Sequence, residues 1–159
     1  MRGMVVAGVT AAVWLGAFGG VAEAQTPAAA PRWQVSVTLS PKAAEKLAAG
    51  KEAIVLSAAY YGEPTKAAAK KADEIGQIDL GQEELRLGSA GGTVVFVGKG
   101  FKADRLGWVV GREARVNLNV YSARKSSPDN LLDCDLFEDT VAVATAKPVA
   151  VACRLIGER

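Results

Sequence analysis

Ser122-Ala123-Arg124-Lys125 has the spacing at which a lysine could deprotonate a serine nucleophile. That chemistry needs the serine at a helix start inside a large domain with partner motifs. Here it stands at the end of an alternating apolar stretch, so no catalytic role is assigned to it. The acidic residues Asp129, Asp133, Asp135, Glu138 and Asp139 could gather oxygen ligands of the kind calcium takes, but the Asp-x-Asp-x-Asp-Gly loop is missing. Along a strand only Asp133 and Asp135 share a face, about 7 Å apart at period two. They are the two candidates for a metal, and the same pair is the candidate for acid/base hydrolysis of a glycoside. No cleft is expected around them, so neither a metal nor a cofactor is assigned.

The chain has no histidine, which removes Ser-His-Asp and Cys-His nucleophiles, His-ligated zinc and haem on a proximal histidine. Two cysteines are too few for a four-sulfur metal site. Lys+Arg 19 against Asp+Glu 17 leaves a formal charge of +2, which argues against nucleic acid as a partner. Gly98-Lys99-Gly100 lacks the strand-to-helix setting of a phosphate loop, and Lys66, Lys70 and Lys71 read as a solvated patch.

A polar row is the more informative feature. With Val116, Leu118 and Val120 pointing inward, Arg115, Asn117, Asn119 and Tyr121 point outward, and Arg124 follows at the row's end. Val55, Ser57, Ala59 and Tyr61 offer a second outward row by the same parity. Asparagine is depleted in strands because it competes for backbone hydrogen bonds. Two of them at period two therefore suggest a role beyond strand formation. Tyr and Asn supply amphipathic contact and adaptable hydrogen bonding. Asn117, Asn119, Tyr121, Arg124 and Tyr61 are thus the candidate partner-binding residues.

Residues 1–24 read as a secretory signal: Arg2 in a short basic start, an apolar run from Met4 to Phe18, and Ala22-Glu23-Ala24 as the cleavage site. Residues 25–32 then form a disordered mature tail, and 33–157 a single domain. No stable membrane insertion is expected after cleavage, and the location is periplasmic or secreted. Export into an oxidising compartment makes Cys134 and Cys153 a disulfide, since both share a face with apolar neighbours.

The elements that must position these groups are mostly strands. Trp33 to Leu39, Ala53 to Tyr61, Gln77 to Leu80 with Leu85 to Leu87, Thr93 to Val97, Arg115 to Tyr121, Leu131 to Leu136 with Val141 to Val143, and Val149 to Ile156 alternate or run apolar. One short helix is expected from Pro41 to Ala49, capped by Ser40 and ended by Gly50, with a helical turn after Pro64. Gly50-Lys51-Glu52-Ala53-Ile54-Val55 ending in Tyr60 matches Gly111-Arg112-Glu113-Ala114-Arg115-Val116 ending in Tyr121. Val35 and Val37 match Val95 and Val97. These matches suggest an internal repeat, 33–92 and 93–148, with 149–156 as a last strand.

About seven short strands with one or two helices suit an antiparallel β-sandwich of immunoglobulin-like or transthyretin-like architecture. The reading of function is an exported, non-enzymatic binding module for a protein, glycan or small ligand. A small carboxylate hydrolase and a structural accessory domain of an envelope complex are the alternatives.

Overall fold

The computed structural model describes residues 29–158. The expected leader, its cleavage site and residues 25–28 of the mature tail lie outside the described residues. Eight strands form two four-stranded sheets, one ordered β4-β1-β8-β6 and the other β3-β2-β5-β7. The first sheet comprises β1 (Trp33–Leu39), β4 (Gly92–Phe96), β6 (Leu132–Cys134) and β8 (Val149–Leu155). In the second are β2 (Ile54–Gly62), β3 (Ile78–Leu87), β5 (Arg115–Ser122) and β7 (Phe137–Thr140). All neighbours run antiparallel except β1 and β8, which are parallel with Val35 opposite Val149. Mainly β structure in antiparallel-rich sheets is therefore what the alternation encoded.

Period-two patterning places the core between the sheets. Trp33, Val35 and Val37 of β1 are buried, as are Ile54, Leu56, Ala58 and Tyr60 of β2 and Val116, Leu118 and Val120 of β5. Trp33 stacks on Phe96 at 4.6 Å and donates from Nε1 to the Tyr60 hydroxyl at 2.9 Å, tying the sheets together. Buried aromatic pairs of this kind add ~1 kcal/mol beyond their area burial. Burial pushes the Tyr60 hydroxyl up to about 12.

Helix α1 (Pro41–Gly50) joins β1 to β2. Ser40 Oγ caps it by accepting from Ala43 N at 3.1 Å, and Pro41 occupies its first turn. The left-handed residue that ends the helix is Lys51 (φ 47), not the expected Gly50. Gly50 is needed for clearance instead, because a Cβ there would stand 2.7 Å from Ser126 Oγ. The turn expected after Pro64 is the 3-10 segment Lys66–Lys71, capped by Thr65.

One sequence expectation needs correction. Leu131 to Leu136 and Val141 to Val143 do not share one strand: the first holds β6 of the first sheet, the second opens helix α2 (Val141–Ala146), and β7 of the second sheet lies between them. Thr140 caps α2 by accepting from Val143 N at 3.3 Å, and Ala144 is buried beneath it, so the cap and packing override the β preference of two valines. Two of the pairs matched between the sequence repeats differ in their surroundings. Val35 is buried and Val95 exposed; Tyr60 is buried whereas Tyr121 lies on the outer face. The matched strands are nevertheless antiparallel neighbours, β1 beside β4 and β2 beside β5.

Candidate functional site

The outer face of the second sheet gathers most of the polar residues singled out from the sequence. Strand pairing sets them in cross-strand rows. Ser57 stands opposite Asn119 on one side and Glu84 on the other. Ala59 lies between Asn117 and Gln82, and Asn117 faces Glu138 of β7. Tyr61 is opposite Arg115.

One end of this face is a connected network. The Tyr61 hydroxyl donates to Glu138 Oε1, Asn117 Nδ2 donates to Glu138 Oε2 at 3.2 Å, and Arg115 Nε donates to the Tyr61 hydroxyl at 3.4 Å. The Tyr61 and Asn117 bonds hold the Glu138 carboxyl below its ordinary range. Partial burial, together with the proton donated to Glu138, raises Tyr61. At the other end Gln82 Nε2 donates to Ser57 Oγ at 2.7 Å, and the Tyr121 hydroxyl donates to Glu84 Oε2 at 3.4 Å. Partial burial and the nearby Glu84 charge raise Tyr121.

Between the two ends Asn119 is exposed, and no side-chain hydrogen bond holds it among the described residues. Arg124 follows β5 in the left-handed region (φ 58) and is exposed. Its loop is held by Glu52, a carboxylate 1% exposed that accepts from Lys125 N at 3.0 Å and from Ser126 Oγ at 2.6 Å. Burial pushes Glu52 up, but the hydrogen bonds from Lys125 and Ser126 together outweigh it and hold the group below its ordinary value. Asn130 Oδ1 closes the far side of the loop by accepting from Ser122 N at 2.9 Å and Leu132 N at 3.1 Å.

Asp133 and Asp135 sit elsewhere, on the outer side of the first sheet. Asp133 Oδ2 is bonded by Arg154 Nη2 at 2.8 Å, and Asp135 Oδ2 accepts from Ala152 N at 3.0 Å. Contrary to the expectation of no cleft around them, they flank one of about 330 Å³ that also includes Ser40 and Arg154. Among the described residues no group of three or more acids and cysteines is placed to hold a metal ion. Between these acids in sequence, Cys134 is bonded to Cys153, directly opposite it on β8, so the expected disulfide is formed. Ser122 is buried, with its hydroxyl accepting from Leu131 N at 2.8 Å, so it is occupied as a structural group.

Sequence reasoning placed Glu138 only in an acidic segment and did not reach Glu84 or Gln82. Their part in the face depends on which strands pair, and parity within one strand cannot show that. No helix among the described residues is long and apolar enough to cross a membrane. The chain matches no known family model, and no characterised protein or solved structure was found to be similar to it.

Proposed function

We propose that the chain is an exported, non-enzymatic binding module of β-sandwich type, immunoglobulin-like or transthyretin-like in its architecture, and that the outer face of its second sheet takes a protein, glycan or small ligand. The observation that carries this reading is the state of that face. Tyr61, Asn117 and Arg115 are tied to Glu138 or to one another, while Asn119 stands exposed between them and Tyr121 with its amide uncommitted. Fixed neighbours around one adaptable group are what a pre-organised polar contact requires. Arg124, on a loop anchored by buried Glu52, supplies a planar cation at the rim. The disulfide suits an oxidising compartment and so supports export.

The carboxylate-hydrolase alternative has less to support it, because each of Asp133 and Asp135 is already engaged by a donor of its own sheet. The test of the binding reading is capture from a periplasmic extract by the chain and by an Asn117→Thr, Asn119→Thr variant. Threonine suits strands better than asparagine, so the variant is expected to keep its fold and thermal midpoint while capturing less. A folded variant that captures every partner equally well contradicts the reading.

A further inference from the structure

Each four-stranded sheet has two open edges, and three of the four carry devices that discourage another strand from adding. β3 is irregular between Asp79 and Gly81, opposite Tyr60 and Tyr61 of β2, and turns Glu83 inward; β6 and β7 are short and bear Asp133 and Glu138. β4 has none of these. It pairs with β1 without a register shift from Phe96 to Gly92, and no charge or proline occurs between Gly88 and Gly98. Val95 is 37% exposed and Val97 47%.

The backbone of β4 has a defined polarity. Ser40 N donates to Cys153 O, so even-numbered residues in line with β1 turn toward β8 and odd-numbered ones toward β4. Val35 and its partner Val94 therefore bond to each other, and alternation turns the N–H and C=O of Thr93 and Val95 away from β1. Val97 N, which has the same parity, does point away, to Glu83 Oε1 at 3.3 Å. Among the described residues no strand meets the outward groups of Thr93 and Val95.

We infer that a second copy of this chain adds there, β4 against β4 and antiparallel about a twofold axis at Val94. Only that register sets Thr93 opposite Val95 of the other copy twice over, so that all outward groups of both strands pair while Glu83 keeps Val97. The same register brings Val97 against Gly91 and Lys99 against Ser89, so no like charges oppose one another. Thr93 and Val95, both β-branched, face each other on the outer side, and half-buried Val94 meets its own copy on the inner side. The product is one continuous eight-stranded sheet. It leaves the outer faces of both second sheets free, so a ligand with two epitopes would meet two sites. The pairing itself does not depend on what those sites take.

The test is sedimentation equilibrium of the purified, disulfide-intact chain across roughly 1 μM to 1 mM, the range that covers weak and moderate association. The mass is expected to rise to twice that of the monomer. Val95→Pro removes only an outward N–H, which an edge strand tolerates, and should hold the monomer mass with an unchanged far-UV spectrum. A wild-type chain that stays monomeric throughout overturns the inference, as does a folded Val95→Pro variant that dimerises like wild type. Should Val95→Pro unfold, Thr93→Lys decides: at least ~10-fold weaker association is expected, and undiminished association overturns the inference.

Discussion

Replacing Glu83 with alanine should destabilise the fold by about 3 kcal/mol. The carboxylate is 5% exposed and accepts from three successive backbone groups: Val97 N at 3.3 Å, Gly98 N at 2.8 Å and Lys99 N at 3.1 Å. Of these only the Gly98 bond is fully buried. Orphaning a buried N–H costs about 1–3 kcal/mol, and the two part-buried groups, which water can reach, add roughly 0.5–1 kcal/mol each. Relief from burying a charge trims the total, which is why the sum stays near the middle of the range. Urea unfolding followed by tryptophan fluorescence measures it, with an unchanged slope showing that the same surface is exposed. A thermal midpoint lower by about 10 °C should accompany the loss in a domain of this size. Glu83→Gln, which keeps one acceptor oxygen, should fall between. A loss under ~1 kcal/mol for the alanine variant would refute the idea that this carboxylate anchors the chain leaving β4.

Three further outcomes are expected. Reducing the Cys134–Cys153 bond, whose cysteines are 19 residues apart, should cost about 3 kcal/mol in the chain-entropy model, read as a lower urea midpoint. Gly81→Ala should cost at least ~2 kcal/mol, because Gly81 has φ 101 and a Cβ there would meet Gly100 O at 2.0 Å. Burial raises Tyr60 to about 12 from an ordinary 10, so its neutral form favours the folded state. That stability is complete below pH 10 and lost as pH rises toward 12, up to about 2 kcal/mol, and Tyr60→Phe should flatten this alkaline slope.

How much of this was legible in the sequence depends on whether the information was local. Strand parity was: the inward set Val116, Leu118, Val120 and the outward set Arg115, Asn117, Asn119, Tyr121 follow from alternation, and burial agrees residue by residue. Burial of Glu83 was half legible. Ile78 and Leu80 share one parity and Leu85 and Leu87 the other, a phase change that demands an irregularity between them. The register shift opposite Gly81 supplies it and carries Glu83 inward with the two leucines. Helix α2 was hidden because Val-Ala-Val-Ala reads as a strand until Thr140 is seen to cap it and Ala144 to pack. The repeat suggested by the sequence has an odd spacing in β2 and β5, which sets inward residues against outward ones. The polar face as a site was legible only along one strand, since Glu138 and Glu84 join it through pairings between segments distant in sequence.

The central claim, that the outer face of the second sheet is the binding surface, is tested most directly by amide chemical-shift mapping of the labelled chain on addition of its captured partner. Shifts are predicted at Ser57, Asn117, Asn119, Tyr121 and Arg124, which share that face or its rim, with Ser36 and Ala150 of the first sheet unmoved. Shifts confined to the first sheet, or to the cleft between Asp133 and Asp135, would contradict it.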